Sequence, residues 1–352
     1  IPGGNIQTTI DLELQIHCEK LMEGRKGVIL VGEPESGGIL AAVSAPDYPP
    51  DFFTGLITES EWSTIKNNPN KPLLNRYIQG TYIPGSIVKM ITQVALLESE
   101  KFDKNIKQYC PGFYQFGDRI FGCWYTQGHG DLSLTEAMAV SCDVFFYKTI
   151  RQVNLEKLNK TFKYFGFGQK TKIDMPNESM GLVPNRNYMK NRYGKFGWSK
   201  GVLLNLSIGQ GELLVTPIQV LNYTNLLSTK GQSPSCHFVF VDNLPANVSP
   251  NLKSEVWDSI HKGMRDAVKD KNGTGKKADL NIKGFELYGK TGTAENPHGD
   301  NHAWFIGWAE YNDMKYSIVV LLENAGSGGG VAAPIARIVF DKLISSNDFV
   351  VK

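Results

Sequence analysis

Residues 9–22 (TIDLELQIHCEKLM) carry Ile10, Leu14 and His17-Cys18 at helical spacing and predict an amphipathic helix. Two short apolar runs follow, 27–32 and 38–44. The turn formers Glu33-Pro-Glu-Ser-Gly37 join them, which is the pattern of a β-hairpin. Residues 46–85 are polar and rich in Pro, Gly and Asn and read as a long surface connection. From Ser86 the period changes. Residues 86–97 are apolar at helical spacing and follow Pro84-Gly85, so Ser86 is expected at or near a helix N-terminus. The helical pattern continues to about residue 231, with helices predicted over 132–140, 144–153, 156–164 and 217–228, and another over 254–268. Three strands, 286–294, 302–311 and 315–323, and a closing helix over 334–345 complete the pattern. The Gly326-Ser-Gly-Gly-Gly330 tract reads as a turn.

Strands at both ends and helices between them predict an α/β (α+β) chain. Its antiparallel sheet has about five strands, is built from both ends of the chain and is flanked by the terminal helices. A mainly helical lobe is inserted. The expected division is one domain over 1–352, with a sheet lobe from 9–85 and 232–352 and a helical lobe over 86–231. The 352 residues, 41% hydrophobic and 20% charged, have the composition of an ordinary globular protein. A net charge of +2 gives no electrostatic footprint for nucleic acid. Residues 185–200 mix Arg, Lys, Tyr, Phe and Trp, and in that balance they read as surface or as a loop beside a groove. No run of 18 apolar residues spans a membrane. The opening Ile1-Pro-Gly-Gly, without Met, reads as an excised fragment whose targeting segment has been removed.

The chemistry lies in three short motifs: Ser86-Ile-Val-Lys89, Ser141-Cys-Asp143 and Lys290-Thr-Gly292. Each alone is a common accident; in this order they supply the parts of an active-serine acyl transfer. Ser86 and Lys89, at i and i+3, share a helix face, so Lys89 can reach the Ser86 hydroxyl. As a base Lys89 must be neutral, through burial or a neighbouring positive charge that Lys290 could supply. Ser141 can relay a proton to a leaving amine, and Asp143 can hold a lysine or a substrate amide. Alternatively the pair caps the helix that follows. Lys290, with the hydroxyls of Thr291 and Thr293, offers a clamp for a carboxylate. Gly292 lets a substrate lie against the strand edge. The backbone N–H groups of Ser86 and Thr293 are the expected oxyanion donors.

Five cysteines do not form a fully paired disulfide framework. Cys110, Cys123, His129 and Cys142 fall in one short stretch and match the donor set of a closed, structural zinc site. A Cys110–Cys123 disulfide and inert thiols are the competing readings. Cys18 and Cys236 read as small buried hydrophobes. His298-Gly-Asp-Asn-His302 is rich in turn formers and reads as a hairpin loop, not a metal site.

With these motifs in this order, the chain resembles the transpeptidase domain of class B penicillin-binding proteins. Thr9-Ile-Asp-Leu-Glu-Leu-Gln15, Pro72-Leu-Leu-Asn-Arg76, Pro84-Gly-Ser86, Ile208-Gly-Gln-Gly211, Thr216-Pro-Ile-Gln219, Gly273-Thr-Gly275 and Ala332-Ala-Pro334 extend the likeness over almost the whole chain. Ser-Cys-Asp in place of the commoner Ser-x-Asn, with Gly128-His-Gly130 upstream, resembles the penicillin-binding protein 2 branch of the elongation machinery. Ionised Asp143 accepts hydrogen bonds and donates none, which departs from an amide-donor role. The resemblance implies the serine β-lactamase/penicillin-binding transpeptidase fold. It implies a D,D-transpeptidase whose Ser86 is acylated by a D-Ala-D-Ala stem peptide and passes the acyl group to the amine of a neighbouring stem, and β-lactams that acylate the same serine. It needs no cofactor for chemistry. Implied partners are a membrane glycosyltransferase and rod-shape scaffold proteins, at the periplasmic face of the inner membrane. The family's N-terminal anchor and pedestal are not visible in the sequence. Rival readings are a serine β-lactamase or D,D-carboxypeptidase, for which no deacylating glutamate stands at a recognisable motif, and a non-catalytic β-lactam sensor or scaffold.

Overall fold

A computed structural model describes residues 3–194, 197–240, 251–296 and 299–347. The first helix, α1 (Leu12–Met22), starts later than its apolar pattern. Asp11 accepts the N–H of Leu14 at 3.0 Å and caps it, while Thr9 and Asp11 donate backbone hydrogen bonds to Phe238 and Leu40. Strands β1 (Gly27–Gly32) and β2 (Ile39–Ala45) form the predicted hairpin. The segment read as a surface connection holds a helix, α2 (Glu59–Lys66), started by a capping box in which Thr58 and Glu61 exchange hydrogen bonds.

A 3-10 turn (Gly85–Val88) leads into α3 (Lys89–Leu97). The mainly helical stretch also contains four short strands that its pattern did not show. These are β3 (Gln108–Cys110), β4 (Phe113–Phe116), β5 (Arg119–Gly122) and β6 (Gly130–Leu132), paired β3 with β6 and β4 with β5. Then come α4 (Leu134–Ala139), α5 (Asp143–Thr149), α6 (Leu155–Tyr164), α7 (Arg186–Tyr193), α8 (Gly201–Ser207), α9 (Pro217–Ser228) and α10 (Ser254–Lys269). The α7 helix, capped by Asn185, occupies half of the segment expected as a loop or surface. The chain closes with β7 (Glu286–Ala294), β8 (His302–Tyr311), β9 (Met314–Leu322) and α11 (Ala333–Asn347), the last entered through a π-turn at Gly328–Ala332. Of the His298–His302 segment, His302 opens β8; His298 lies outside the described residues.

The five long strands form one antiparallel sheet in the order β2-β1-β9-β8-β7, drawn from both ends of the chain as expected. All of β1 is buried because both faces of the sheet are covered. Ile29, Val31, Ile318 and Val320 pack with α1 and α11 on one side. Val28, Leu30, Val319 and Leu321 join the larger core on the other side, with α3, α9 and α10. The edge strand β7 faces the 3-10 turn that precedes α3, and the candidate site lies at that seam. Among the described residues no helix is long and apolar enough to cross a membrane.

Candidate active site

The turn that carries Ser86 is built by close backbone approach. Gly85 has φ 59°, and a Cβ there would lie 2.6 Å from the Thr293 carbonyl oxygen. Gly292 is the second such point: its Cβ would sit 2.8 Å from Ile87 Cγ2 and 2.9 Å from the Pro84 oxygen. The missing side chain of Gly292 therefore also lets the Ser86 turn pack against β7. The approach segment is tied to the sheet. Buried Arg76 donates to Glu323 Oε1 at 3.0 Å, Tyr82 Oη donates to the same oxygen at 2.8 Å, and Trp304 Nε1 donates to the Ile83 carbonyl at 3.1 Å.

Half-buried Ser86 lies inside the 3-10 turn, three residues before the first residue of α3, Lys89. Among the described residues no side-chain hydrogen bond joins Ser86 to Lys89. The ammonium of fully buried Lys89 is turned to the second motif instead. It donates to Asp143 Oδ1 at 2.7 Å and to the Ser141 carbonyl at 2.8 Å, and lies 3.3 Å from Ser141 Oγ. Lys290, equally buried, reaches the same hydroxyl at 2.7 Å and its neighbour's Thr291 carbonyl at 3.1 Å. Ser141 Oγ thus bridges the two lysines. Ser141 holds this place with φ 55°, a left-handed conformation that costs a non-glycine residue roughly 1 kcal/mol or more.

The pairing of charges reverses one expectation. Lys89 has an ion-pair partner in Asp143 and Lys290 has none among the described residues. Burial first, then the Lys89 ammonium, press the Lys290 pKa well below its ordinary value, with Asp143 opposing. Lys290 is therefore the amine pushed towards neutrality, where the motifs suggest it as the positive charge beside Lys89. Nor do Ser141 and Asp143 cap α5. Cys142 is its N-cap residue, and both flanking side chains are committed to the lysines. Asp143 fills its acceptor-only role with a second bond, from the Trp124 N–H to Oδ2 at 3.1 Å.

On β7 the Thr291 hydroxyl donates to Thr274 Oγ1 at 2.7 Å, and Thr293 Oγ1 accepts the Gly328 N–H at 3.4 Å. The Thr293 carbonyl points off the sheet, to the Gln210 amide. In an antiparallel strand both backbone groups of a residue face the same side, so the Thr293 N–H also faces the free edge, towards the Ser86 turn. Gln210 was missed as a site residue. The sequence flagged only its Gly-Gln-Gly context.

Cys110, Cys123, His129 and Cys142 converge with their ligating atoms within 4.8 Å of one another. All five cysteines are free thiols, which excludes the Cys110–Cys123 disulfide from this structure. His129 Nδ1 lies 3.6 Å from the sulfurs of both Cys110 and Cys123, and its ring packs against Trp124 and Tyr125. The hydrogen bond from Cys142, helped by His129, holds the Cys123 thiol well below the usual range, and the same contact pushes Cys142 up. Cys18 and Cys236 are buried, as read.

The model of the penicillin binding protein transpeptidase domain matches residues 27–341. The chain is 32% identical to the peptidoglycan D,D-transpeptidase MrdA of Haemophilus influenzae, over 97% of this chain and 56% of that protein. It superposes on the penicillin-binding protein 2 of Helicobacter pylori, solved in complex with MreC, with a TM-score of 0.87 and 34% identity, over 96% of this chain and 64% of that one. For penicillin-binding protein 2 of Pseudomonas aeruginosa, solved with WCK 5153, the TM-score is 0.88 at 33% identity, over 97% and 76%. The chain spans a little over half the length of the curated relative. A five-stranded antiparallel sheet with helices on both faces, three motifs converging at its edge and a family match over nine-tenths of the sequence lead to one conclusion: the chain belongs to the penicillin-binding protein transpeptidase domain family.

Proposed function

We propose that this chain carries the D,D-transpeptidase activity of a peptidoglycan synthase, with Ser86 as nucleophile. The observation that carries the reading is the continuous chain Lys89–Ser141–Lys290, in which Ser141 Oγ lies 3.3 Å and 2.7 Å from the two amines, beside the turn that bears Ser86. Ser86 Oγ attacks the carbonyl carbon of the penultimate D-Ala. The N–H groups of Ser86 and Thr293 stabilise the oxyanion. The peptide C–N bond then breaks and terminal D-Ala leaves with a proton delivered through Ser141. An amine of a neighbouring stem attacks the ester, the amide forms, and Ser86 Oγ recovers its proton.

The two lysines share one proton under this reading. Asp143 Oδ1 lies 2.7 Å from the Lys89 amine, while burial and that amine press against the proton's presence on Lys290. The substrate's terminal carboxylate, clamped by Lys290, Thr291 and Thr293, favours it on Lys290. Ser141 Oγ carries the transfer and leaves Lys89 neutral as the base for Ser86. Binding thereby switches the base on. β-Lactams, with their own carboxylate, acylate Ser86 by the same route.

The reading places the domain at the periplasmic face of the inner membrane, where stem peptides lie, and gives it a glycosyltransferase and a rod-shape scaffold as partners. The scaffold is supported by the relative solved with MreC, and a polymerising partner by a neighbour solved as a peptidoglycan synthase complex that couples polymerization and crosslinking. The test is the intact mass of the chain over time with a penicillin. One persistent adduct, absent in Ser86→Ala, is expected; an adduct that clears within seconds identifies a β-lactamase, and no adduct favours a non-catalytic sensor.

The thiol cluster fits zinc. Bonds of about 2.3 Å to sulfur and about 2.0 Å to nitrogen in a tetrahedron set sulfur and nitrogen roughly 3.5 Å apart, close to the 3.6 Å found at His129. Cys110, Cys123, His129 and Cys142 would hold the ion, which supplies a structural cross-link and no open coordination position. The residues themselves bracket the site. Cys123 precedes Trp124, whose N–H anchors Asp143, and Cys142 precedes Asp143 itself. Elemental analysis is expected to find one zinc per chain; sub-stoichiometric metal with thiols that titrate freely sinks this assignment.

A further inference from the structure

Gln210 stands outside the three motifs, yet it touches the site from two sides. Its own backbone is fixed at the end of α8, where its N–H donates to Asn205 at 2.9 Å and that of Gly209 donates to Leu206 at 3.1 Å. On one side the Gly209 carbonyl accepts the Gly85 N–H at 2.9 Å. Gly209 has φ 76°, and a Cβ there would lie 2.1 Å from the Gly85 oxygen, so the two backbones are in direct contact. On the other side the Gln210 side chain docks on the free edge of β7. Nε2 donates to the Thr293 carbonyl at 3.1 Å, and Oε1 accepts the Glu295 N–H at 3.3 Å. One acceptor and one donor, two residues apart, are what the next strand of an antiparallel ladder would engage. The Gln210 amide therefore stands in for a strand at the point where the edge passes the nucleophile.

We infer that Gln210 is a positioning residue for acylation. The turn Gly209-Gln210 sets the distance between the Ser86 turn and Thr293, and the side-chain amide keeps Thr293 with its N–H on the oxyanion side. The same bond closes the edge from Thr293 to Glu295, so an incoming peptide can pair with β7 only up to Thr293. This inference rests on the acylation reading above. Oxyanion stabilisation depends on sub-ångström placement, and a displaced donor costs rate without costing initial binding.

The test uses the purified chain and a fluorescent penicillin, with acylation rates followed over concentration so that the limiting rate and the preceding binding constant separate. Q210A is expected to lower the limiting rate roughly 10- to 100-fold while the binding constant stays within about threefold. Q210E adds a readout that a merely structural role would not move. Its ionised carboxylate keeps the acceptor for Glu295 but has no donor for Thr293, so it is slow at neutral pH. On protonation it regains the donor, and its rate relative to wild type is expected to rise as pH falls through the carboxyl's range. If Q210A does not fold, the Q210E-to-wild-type ratio against pH decides alone. A limiting rate unchanged in Q210A, or a ratio flat with pH in Q210E, overturns the inference while leaving Ser86 as nucleophile. A wild-type chain that takes no penicillin on Ser86 overturns the acylation reading itself.

Discussion

The two edges of the five-stranded sheet are finished in different ways. At the β2 edge Gln15 donates to the Ala42 carbonyl at 3.1 Å and accepts its N–H at 2.8 Å, while Asp11 and Ile39 find partners in Leu40 and His237. That edge is covered from Ile39 to Ala42, as exposed edges usually are to prevent pairing with other chains. At the β7 edge a second glutamine, Gln210, covers the stretch from Thr293 to Glu295 and stops there. The edge ahead of it runs past Ser86. The same chemical device seals one margin for stability and frames an opening in the other, which is how an edge strand becomes a peptide-binding surface without becoming an aggregation site.

The largest break in this comparison comes from closing the open edge. In Gly85→Ala the new Cβ would meet the Thr293 carbonyl and strain a φ of 59°. The turn and β7 must move apart, and the acylation rate with penicillin is expected to fall about 100-fold. A wild-type rate in a folded Gly85→Ala chain would show that the contact does not set the oxyanion geometry.

A smaller effect separates function from stability at the same edge. Lys290 is buried with a lowered pKa, so between that value and 10.5 the unfolded chain binds a proton that the native state sheds. Native stability contributed at this position therefore rises with pH through that window, is lost as pH falls through it, and is flat below the lowered value, where both states are protonated. Lys290→Met removes the dependence. It is expected to unfold at higher denaturant near neutral pH, by about 1–3 kcal/mol, while losing acylation. A less stable Lys290→Met chain would contradict the burial argument.

The smallest effect belongs to the sealed edge. Gln15→Ala should lower stability by about 1 kcal/mol through one residue's ladder bonds and leave penicillin acylation unchanged. A changed acylation rate would mean that the two edges are coupled through the sheet.

The sequence legibly encodes whatever repeats with a period. The long strands and most of the larger helices follow from apolar spacing, and the three motifs fall on the sheet edge and the helices facing it. Short strands such as Gln108–Cys110 are below the length at which a period can show. The partnership of Lys89 with Asp143 spans 54 residues of sequence, and burial and charge, which no motif contains, decide that Lys290 is the depressed amine. The α2 helix was legible after all: Thr58 and Glu61 spell a capping box inside a stretch whose composition suggested only loop.

The crowding of backbone at the site has an evolutionary consequence. Gly85, Gly209, Gly292 and Gly328 each lack room for a single methyl group, and in each case a carbonyl oxygen stands in the way. Selection works by exchanging side chains, and here four of the walls have none to exchange. A ligand held by the main chain of Thr291–Thr293 would rest on a surface that point mutation can displace only by disturbing the Ser86 turn as well. Escape is then confined to residues around the site whose side chains, unlike these glycines, have room to vary.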